Sequence, residues 1–230
     1  MKKLLKKICA AAVLVSTLTG VSALADDINV WKKSTLNKIL ERNELIVGMN
    51  PEYMPFNMND KKGRIIGYEV DMARNMAKAM GVKLKIVSIS WDGIIAGLLT
   101  SKFDIIMSGM TITQERNLKI NFSDPYVVVG QTLLVRKSIA SKVKSVKDLD
   151  KAEYKIVTKL GTTGEIAARK FFKKARIATF EGEAEAAIEV LNGRADAMIY
   201  DKTFNLVFMA DKGTDKIVHL DTPLTYEPFG

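Results

Sequence analysis

Short apolar runs and amphipathic stretches take turns along this chain. The runs at 45–48, 84–89, 103–107, 155–158, 177–180 and 197–200 are rich in Val and Ile and are bounded by turn formers, which predicts buried strands. Between them, residues 36–44, 70–80, 94–100, 165–173 and 184–191 space their apolar positions as amphipathic helices do. In the helix ending at Met80 these positions are Val70, Ala73, Ala77 and Met80, and Gly81 stops it. Strands alternating with helices predict an α/β fold in which parallel or mixed sheets carry helices on their faces.

The alternation is laid down twice. Leu99-Thr100-Ser101-Lys102-Phe103-Asp104 ahead of one strand is echoed by Leu191-Asn192-Gly193-Arg194-Ala195-Asp196 ahead of another, so two similar lobes are expected. An extended apolar segment at 127–134, interrupted by Gly130 and Gln131, reads as the crossover between them. The expected division is a first lobe over 26–128, a second over 129–226, and hinge strands near 127–134 and 226–230. Residues 50–59, with Pro51, Tyr53, Pro55 and Phe56, read as a ligand-facing loop, and the lysine-rich stretch 137–151 as a solvated one.

The ends change the picture. Lys2, Lys3, Lys6 and Lys7 precede an apolar run over 8–24, and Ala23-Leu24-Ala25 has the small-x-small form of a signal-peptidase site, so residues 1–25 read as a secretory leader. The run is too short and too often broken by Ser, Thr and Gly to span a bilayer, and no later segment qualifies. The formal charge of +9 falls to +5 over 205 residues once the four leader lysines are removed. That residue of charge is mixed with acids and accompanied by few aromatics, which argues against nucleic acid as a partner. The single cysteine, Cys9, lies in the leader, and His219 is the one histidine, so neither a disulfide, a metal site nor a cofactor is expected. A freely soluble, monomeric, exported protein follows.

Candidate chemistry gathers at strand ends. Thr113 reads as an N-cap, which puts Arg116 in the first turn of a helix, where a cation is disfavoured by about 0.3–1 kcal/mol unless an anion joins it. A guanidinium beside free N–H groups would clamp a carboxylate, with Ser108, Gly109 and Thr111 close by; the alternative is a surface arginine paired with Glu115. Gly161-Thr162-Thr163-Gly164 offers a second helix N-terminus, or simply a turn and cap. Asp201, at a strand end, suits an ammonium group, although an aspartate there, taken alone, is more often a cap for the helix from Thr203 onward. A cation seeking a carboxylate and an anion seeking an ammonium, on opposite lobes, describe an α-amino acid. Tyr53 and Trp91 are placed to pack over its side chain, Phe56 to cover the core, and Asn50 sits nearby, uncharged.

Gly67-Tyr68-Glu69-Val70-Asp71, Ser108-Gly109-Met110-Thr111-Ile112-Thr113-Gln114-Glu115-Arg116, Phe122-Ser123-Asp124-Pro125-Tyr126 and Gly161-Thr162-Thr163-Gly164 together resemble the periplasmic solute-binding proteins of polar amino-acid ABC transporters, bacterial family 3. The resemblance runs from Leu36 to Gly230. It implies a two-lobed periplasmic-binding-protein-like fold of type II, α/β, each lobe a mixed sheet flanked by helices with a hinge between. It implies that Arg116, with the Thr111 and Thr163 amides, holds the ligand's carboxylate. Asp201, with Ser108, the Gly109 carbonyl or the Thr111 hydroxyl, would hold its ammonium, while Tyr53 and Trp91 stack on its side chain. Glu69 and Asp71 would be architectural, as acids complementing a helix dipole. The implied partners are a free amino acid and an ABC permease, and the implied location is the periplasm.

Two departures from the family pattern carry expectations of their own. Asn50 stands where members taking cationic or glutamine ligands often have aspartate, which points to an uncharged or weakly polar ligand side chain. The sequence stops at Pro228-Phe229-Gly230, where such proteins usually continue into closing helices of the first lobe, so a truncated C-terminus is expected. Dehydratases of the cyclohexadienyl type are similar to the family, but Tyr200-Asp201-Lys202-Thr203 lacks the glutamate associated with them and no acid–base pair assembles, so a non-enzymatic binder is expected. A ligand-sensing module of a receptor remains the other alternative.

Overall fold

The computed structural model describes residues 34–212 and 215–230; the leader expected over 1–25 lies outside the described residues. Residues up to Arg42 form a unit of their own. Its described part is helix α1 (Thr35–Arg42), whose Asn37 N–H is accepted by the Ser34 hydroxyl at 3.1 Å.

The second unit, Asn43–Gly230, holds a three-stranded sheet, a five-stranded sheet and two two-stranded ones. The first lobe runs β1 (Glu44–Met49), the hairpin β2 (Met58–Asn59) and β3 (Ile65–Ile66), α2 (Tyr68–Met80), β4 (Lys83–Ser88), a 3-10 turn (Trp91–Gly93), α3 (Ile94–Leu99), β5 (Ile105–Ile106) and the single turn α4 (Gln114–Asn117). Its three-stranded sheet, in the order β4-β1-β5, is parallel throughout. Leu45, Val47 and Met49 alternate into the core, and Gly81 closes α2 in the left-handed conformation its position demands, at φ 69°. The Phe103 ring fills the space beside Gly48 and Gly97, where any Cβ would lie under 3 Å from it.

The second lobe follows the crossover, which is two strands and not one: β6 (Val127–Val129) and β7 (Gln131–Arg136), parted at Gly130, where a Cβ would meet the Thr225 carbonyl at 2.6 Å. It continues through α5 (Lys137–Ala140), α6 (Val146–Leu149), β8 (Lys155–Lys159), α7 (Thr163–Phe171), β9 (Arg176–Phe180), α8 (Glu183–Leu191), β10 (Ala197–Asp201), α9 (Lys202–Lys212) and β11 (Ile217–Leu220). The five-stranded sheet has the order β11-β7-β10-β8-β9; β8, β9 and β10 are parallel, and β7 runs against both its neighbours. A last strand, β12 (Glu227–Phe229), returns antiparallel to β6.

The stretch 137–151 is more ordered than the expected loop, because Ser145 and Asp148 form a capping box that starts α6 and Leu149 buries its side chain completely. The echoed aspartates do the same work twice. Asp104 accepts the Ile46 N–H and Asp196 the Lys155 N–H, each at 2.8 Å, so each ties the strand it precedes to the neighbouring parallel strand. Among the described residues no helix is long and apolar enough to cross a membrane.

Candidate functional site

The carboxyl ends of β1, β5, β8 and β10 face one cavity between the lobes, as ligand sites in open α/β sheets do. Asn50, Tyr53, Trp91, Ser108, Gly109, Thr111, Arg116, Lys159, Thr162, Thr163, Tyr200 and Asp201 line it. All ten residues singled out from the sequence are in this set, drawn from loops far apart in the chain. Lys159 and Tyr200 are the two additions.

The wall from the first lobe is built by strand-end hydrogen bonds. The Ser108 hydroxyl accepts the Asn50 N–H at 2.9 Å and so pins the end of β1 to the end of β5. Gly109 is left-handed, at φ 58°, and a Cβ there would meet the Tyr53 ring at 2.5 Å, so only glycine fits. Thr113 caps α4 as expected, its hydroxyl accepting the Arg116 N–H at 3.2 Å. Arg116 does fall in the first turn, but the helix is a single turn of four residues, too short for a dipole clash to place this arginine. It is placed by a hydrogen bond to the Thr111 carbonyl at 2.8 Å and by the Trp91 ring, 5.4 Å from its Cζ. It is half-buried on the cavity wall and not paired with Glu115, which instead meets Lys119. Burial pulls its pKa down, and Glu227 and then Asp201 oppose this from a distance.

The opposite wall comes from the second lobe. Thr162 caps α7, accepting the Glu165 N–H, while its own hydroxyl donates to the Lys159 carbonyl at 2.8 Å. Thr163 turns its hydroxyl to within 3.4 Å of that of Thr111 across the cleft, and Trp91 Nε1 donates to the Gly161 carbonyl at 2.9 Å. Asp201 does not cap α9. Its oxygens accept from Tyr53 OH at 3.0 Å and from Gln131 Nε2 at 2.7 Å. Burial, with Glu227 adding to it, pushes its carboxyl up to about 7.

Lys159 is the residue the sequence reading passed over. It is 2 % exposed, and its Nζ donates to Glu183 at 2.6 Å within its own lobe and to Asn50 at 2.6 Å and Glu52 at 3.2 Å across the cleft. A lysine closing an apolar strand immediately before a glycine turn was the available signal. Beyond Asn50 and Trp91 a second cavity opens, lined by Glu52, Ser90, Asp92, Leu160 and Glu181 as well.

Compared with known proteins, residues 45–208 match the bacterial extracellular solute-binding proteins, family 3. Over 190 residues the chain is 32% identical to the L-cystine-binding protein TcyJ of Escherichia coli (strain K12), which covers 80% of this chain and 71% of that protein. Over 188 residues it is 32% identical to the cyclohexadienyl dehydratase of Pseudomonas aeruginosa, 82% of this chain and 70% of that one. Among solved structures, a binding component of an ABC transporter from Wolinella succinogenes, complexed with lysine, is similar at a TM-score of 0.80 and 62% identity, with 82% of this chain and 81% of that one covered.

Proposed function

This chain belongs to the bacterial extracellular solute-binding proteins of family 3, with the type II periplasmic-binding-protein fold, and from that premise we propose that it captures a free L-α-amino acid with a polar side chain in its interlobe cleft and delivers it, outside the cytoplasm, to an ABC permease. The observation that carries this reading is the pair of opposite charges on one cavity, Arg116 from the first lobe and Asp201 from the second. A zwitterion engages both only when the lobes are together, so its differential affinity for the closed form biases the hinge equilibrium. The permease then reads the closed shape. Residues 1–25 are the export leader in this reading, and the hinge is β6 with β12.

Two observations bear on the side chain. The Asn50 amide and the Lys159 ammonium at the wall favour an uncharged polar end, since a second cation beside Lys159 would be repelled. The adjoining cavity with Glu52, Asp92 and Glu181, together with the lysine bound by the Wolinella relative, favours a second reading in which a cationic end reaches past Asn50. A thermal-shift panel of the common amino acids, cystine included, separates them. The right ligand at a hundred times its dissociation constant should add about 2.7 kcal/mol, a rise of roughly 5–10 °C for a chain of this size. If glutamine-like ligands give the rise, the uncharged reading stands; lysine or arginine giving it establishes the second. A panel in which no amino acid shifts the transition sinks the proposal.

Asp201 makes capture pH-dependent. A carboxyl whose folded pKa is raised stabilises the ligand-free fold below its ordinary value and gives up that stability as pH climbs through the raised one. An incoming ammonium requires the ionised form, so below about pH 7 binding must expel a proton. Affinity is expected to strengthen by about tenfold per pH unit from pH 5 towards 7 and to level off above it. Calorimetry at several pH values measures this, and Asp201→Asn should flatten the profile while weakening binding throughout.

The dehydratase relative supplies an enzymatic alternative, in which the protonated Asp201 would act as a general acid. Of the other acid or base groups on the cavity, Lys159 is committed to Glu183 and Asn50 and Tyr53 already donates to Asp201, while His219 is bonded to Thr132 outside the cavity lining. Incubation with a cyclohexadienyl acid is expected to yield no aromatic product.

A further inference from the structure

Glu69 stands in the first turn of α2, where an acid would serve the helix dipole from the surface. It is instead fully buried, and its carboxylate is where three separate segments meet. The Gly109 N–H donates to it at 2.6 Å, and the Asn57 side-chain amide and the Tyr126 hydroxyl donate to it as well. Burial raises its pKa against the pull of these three donors. The backbone of Glu69 is held by the same region, its N–H donating to the Phe56 carbonyl at 2.9 Å and that of Tyr68 to the Pro55 carbonyl at 3.2 Å.

Each donor leads to a working part of the cleft. The Gly109 N–H shares a planar peptide with the Ser108 carbonyl, so aiming the one at Glu69 sets the direction of the other at the cavity wall. Asn57 ends the turn that carries Tyr53, its N–H bonded to the Tyr53 carbonyl at 2.9 Å. Tyr126 immediately precedes β6, and its N–H donates to the Phe229 carbonyl of β12 at 3.0 Å, which makes it part of the hinge. The loop beyond Gly109 is tied to β12 too, through Ile112 N–H to the Pro228 carbonyl at 2.8 Å and the bridge between Thr111 and Phe229.

We propose that Glu69 is a positioning residue for ligand capture: one buried carboxylate sets the Gly109 loop, the Tyr53 turn and the hinge entry at Tyr126, so that cleft geometry and hinge geometry are adjusted together. The proposal rests on the cleft being the ligand site, and one of its tests does not need a ligand. Asn57 Oδ1 has no hydrogen-bond partner. In Glu69→Gln the new amide can therefore bond a turned-over Asn57 while its oxygen still accepts from Gly109 and Tyr126.

The experiment compares Glu69→Ala, Glu69→Gln and Tyr126→Phe with the wild type. It follows exchange of the Gly109 amide hydrogen by NMR in the free protein, and the dissociation constant of the best amino acid from the panel by calorimetry. Glu69→Ala, which strands three buried donors, is expected to speed Gly109 exchange and to raise the dissociation constant, each by about tenfold or more. Glu69→Gln should recover both to within about threefold, and Tyr126→Phe should leave Gly109 exchange as it was while weakening binding by about threefold. Wild-type affinity in a folded Glu69→Ala overturns the proposal. So does a Glu69→Gln no better than alanine, which would assign the role to charge. Should Glu69→Ala fail to fold, wild-type affinity in Tyr126→Phe overturns the link to the hinge. A wild type that binds no amino acid would sink the cleft reading, yet the Gly109 exchange would still report whether Glu69 holds that loop.

Discussion

Arg116→Ala is expected to weaken amino-acid binding by about 30-fold or more, since truncating one partner of a buried, hydrogen-bonded charge pair costs about 2–5 kcal/mol. The guanidinium spends one N–H on the Thr111 carbonyl and rests against Trp91, and the remaining face of its fork borders the cavity. The carboxylates that most oppose its burial are Glu227 and Asp201, neither of them hydrogen-bonded to it, so a ligand carboxylate would supply what the fold does not. Arg116→Lys should fall between wild type and alanine, because an ammonium keeps the charge and loses the bidentate geometry. Isothermal calorimetry showing an unaltered dissociation constant in Arg116→Ala would remove the clamp from the mechanism.

Lys159→Met is expected to strike the fold itself. The Lys159–Glu183 pair is buried on both sides, at 2.6 Å, and Glu183 has a second oxygen without a hydrogen-bond partner. Removing the ammonium leaves a buried carboxylate uncompensated, which typically destabilises by about 3–5 kcal/mol. Burial already raises the Glu183 pKa, and Lys159 is what holds it down. In the variant the raised carboxyl would stabilise the fold while protonated and lose that contribution as pH climbs, so the defect should be smaller at pH 5 than at pH 8. Urea denaturation at both values measures this. Lys159→Met with Glu183→Gln should recover most of the loss at pH 8; a double variant as unstable as the single one would show that packing, and not charge, is what Lys159 contributes. Because the same Nζ reaches Asn50 and Glu52 across the cleft, the double variant should still bind ligand more weakly than wild type.

Much of this architecture was legible because its signals are local. Apolar runs of strand length, Gly81 after α2, and Thr113 and Thr162 as caps each report a short-range steric or hydrogen-bonding need, while the doubled aspartate at 104 and 196 showed only as a repeated motif. The structure meets each of those local needs where the sequence places it. Boundaries were less legible: the strand expected over 103–107 pairs only at Ile105–Ile106, because Phe103 turns into the core beside two glycines and Met107 already leads into the cleft loop. Residues 137–151 looked like a loop because lysines dominate them, yet Leu149 and a capping box are enough to order a turn of helix on the sheet.

By itself the sequence determined the two repeated α/β halves and the residue types that an α-amino acid requires, because periodicity, capping and charge at strand ends are properties of neighbouring residues. It did not determine what those charges face. That Asp201 bonds Tyr53 and Gln131 instead of a helix end, that Lys159 is swallowed by the cleft, and that Glu69 gathers a loop, a turn and the hinge on one carboxylate were decided by tertiary structure alone. The reason is physical: each depends on partners 12 to 148 positions away along the chain, and only tertiary packing, within each lobe as well as between them, removes the water that would otherwise satisfy those groups.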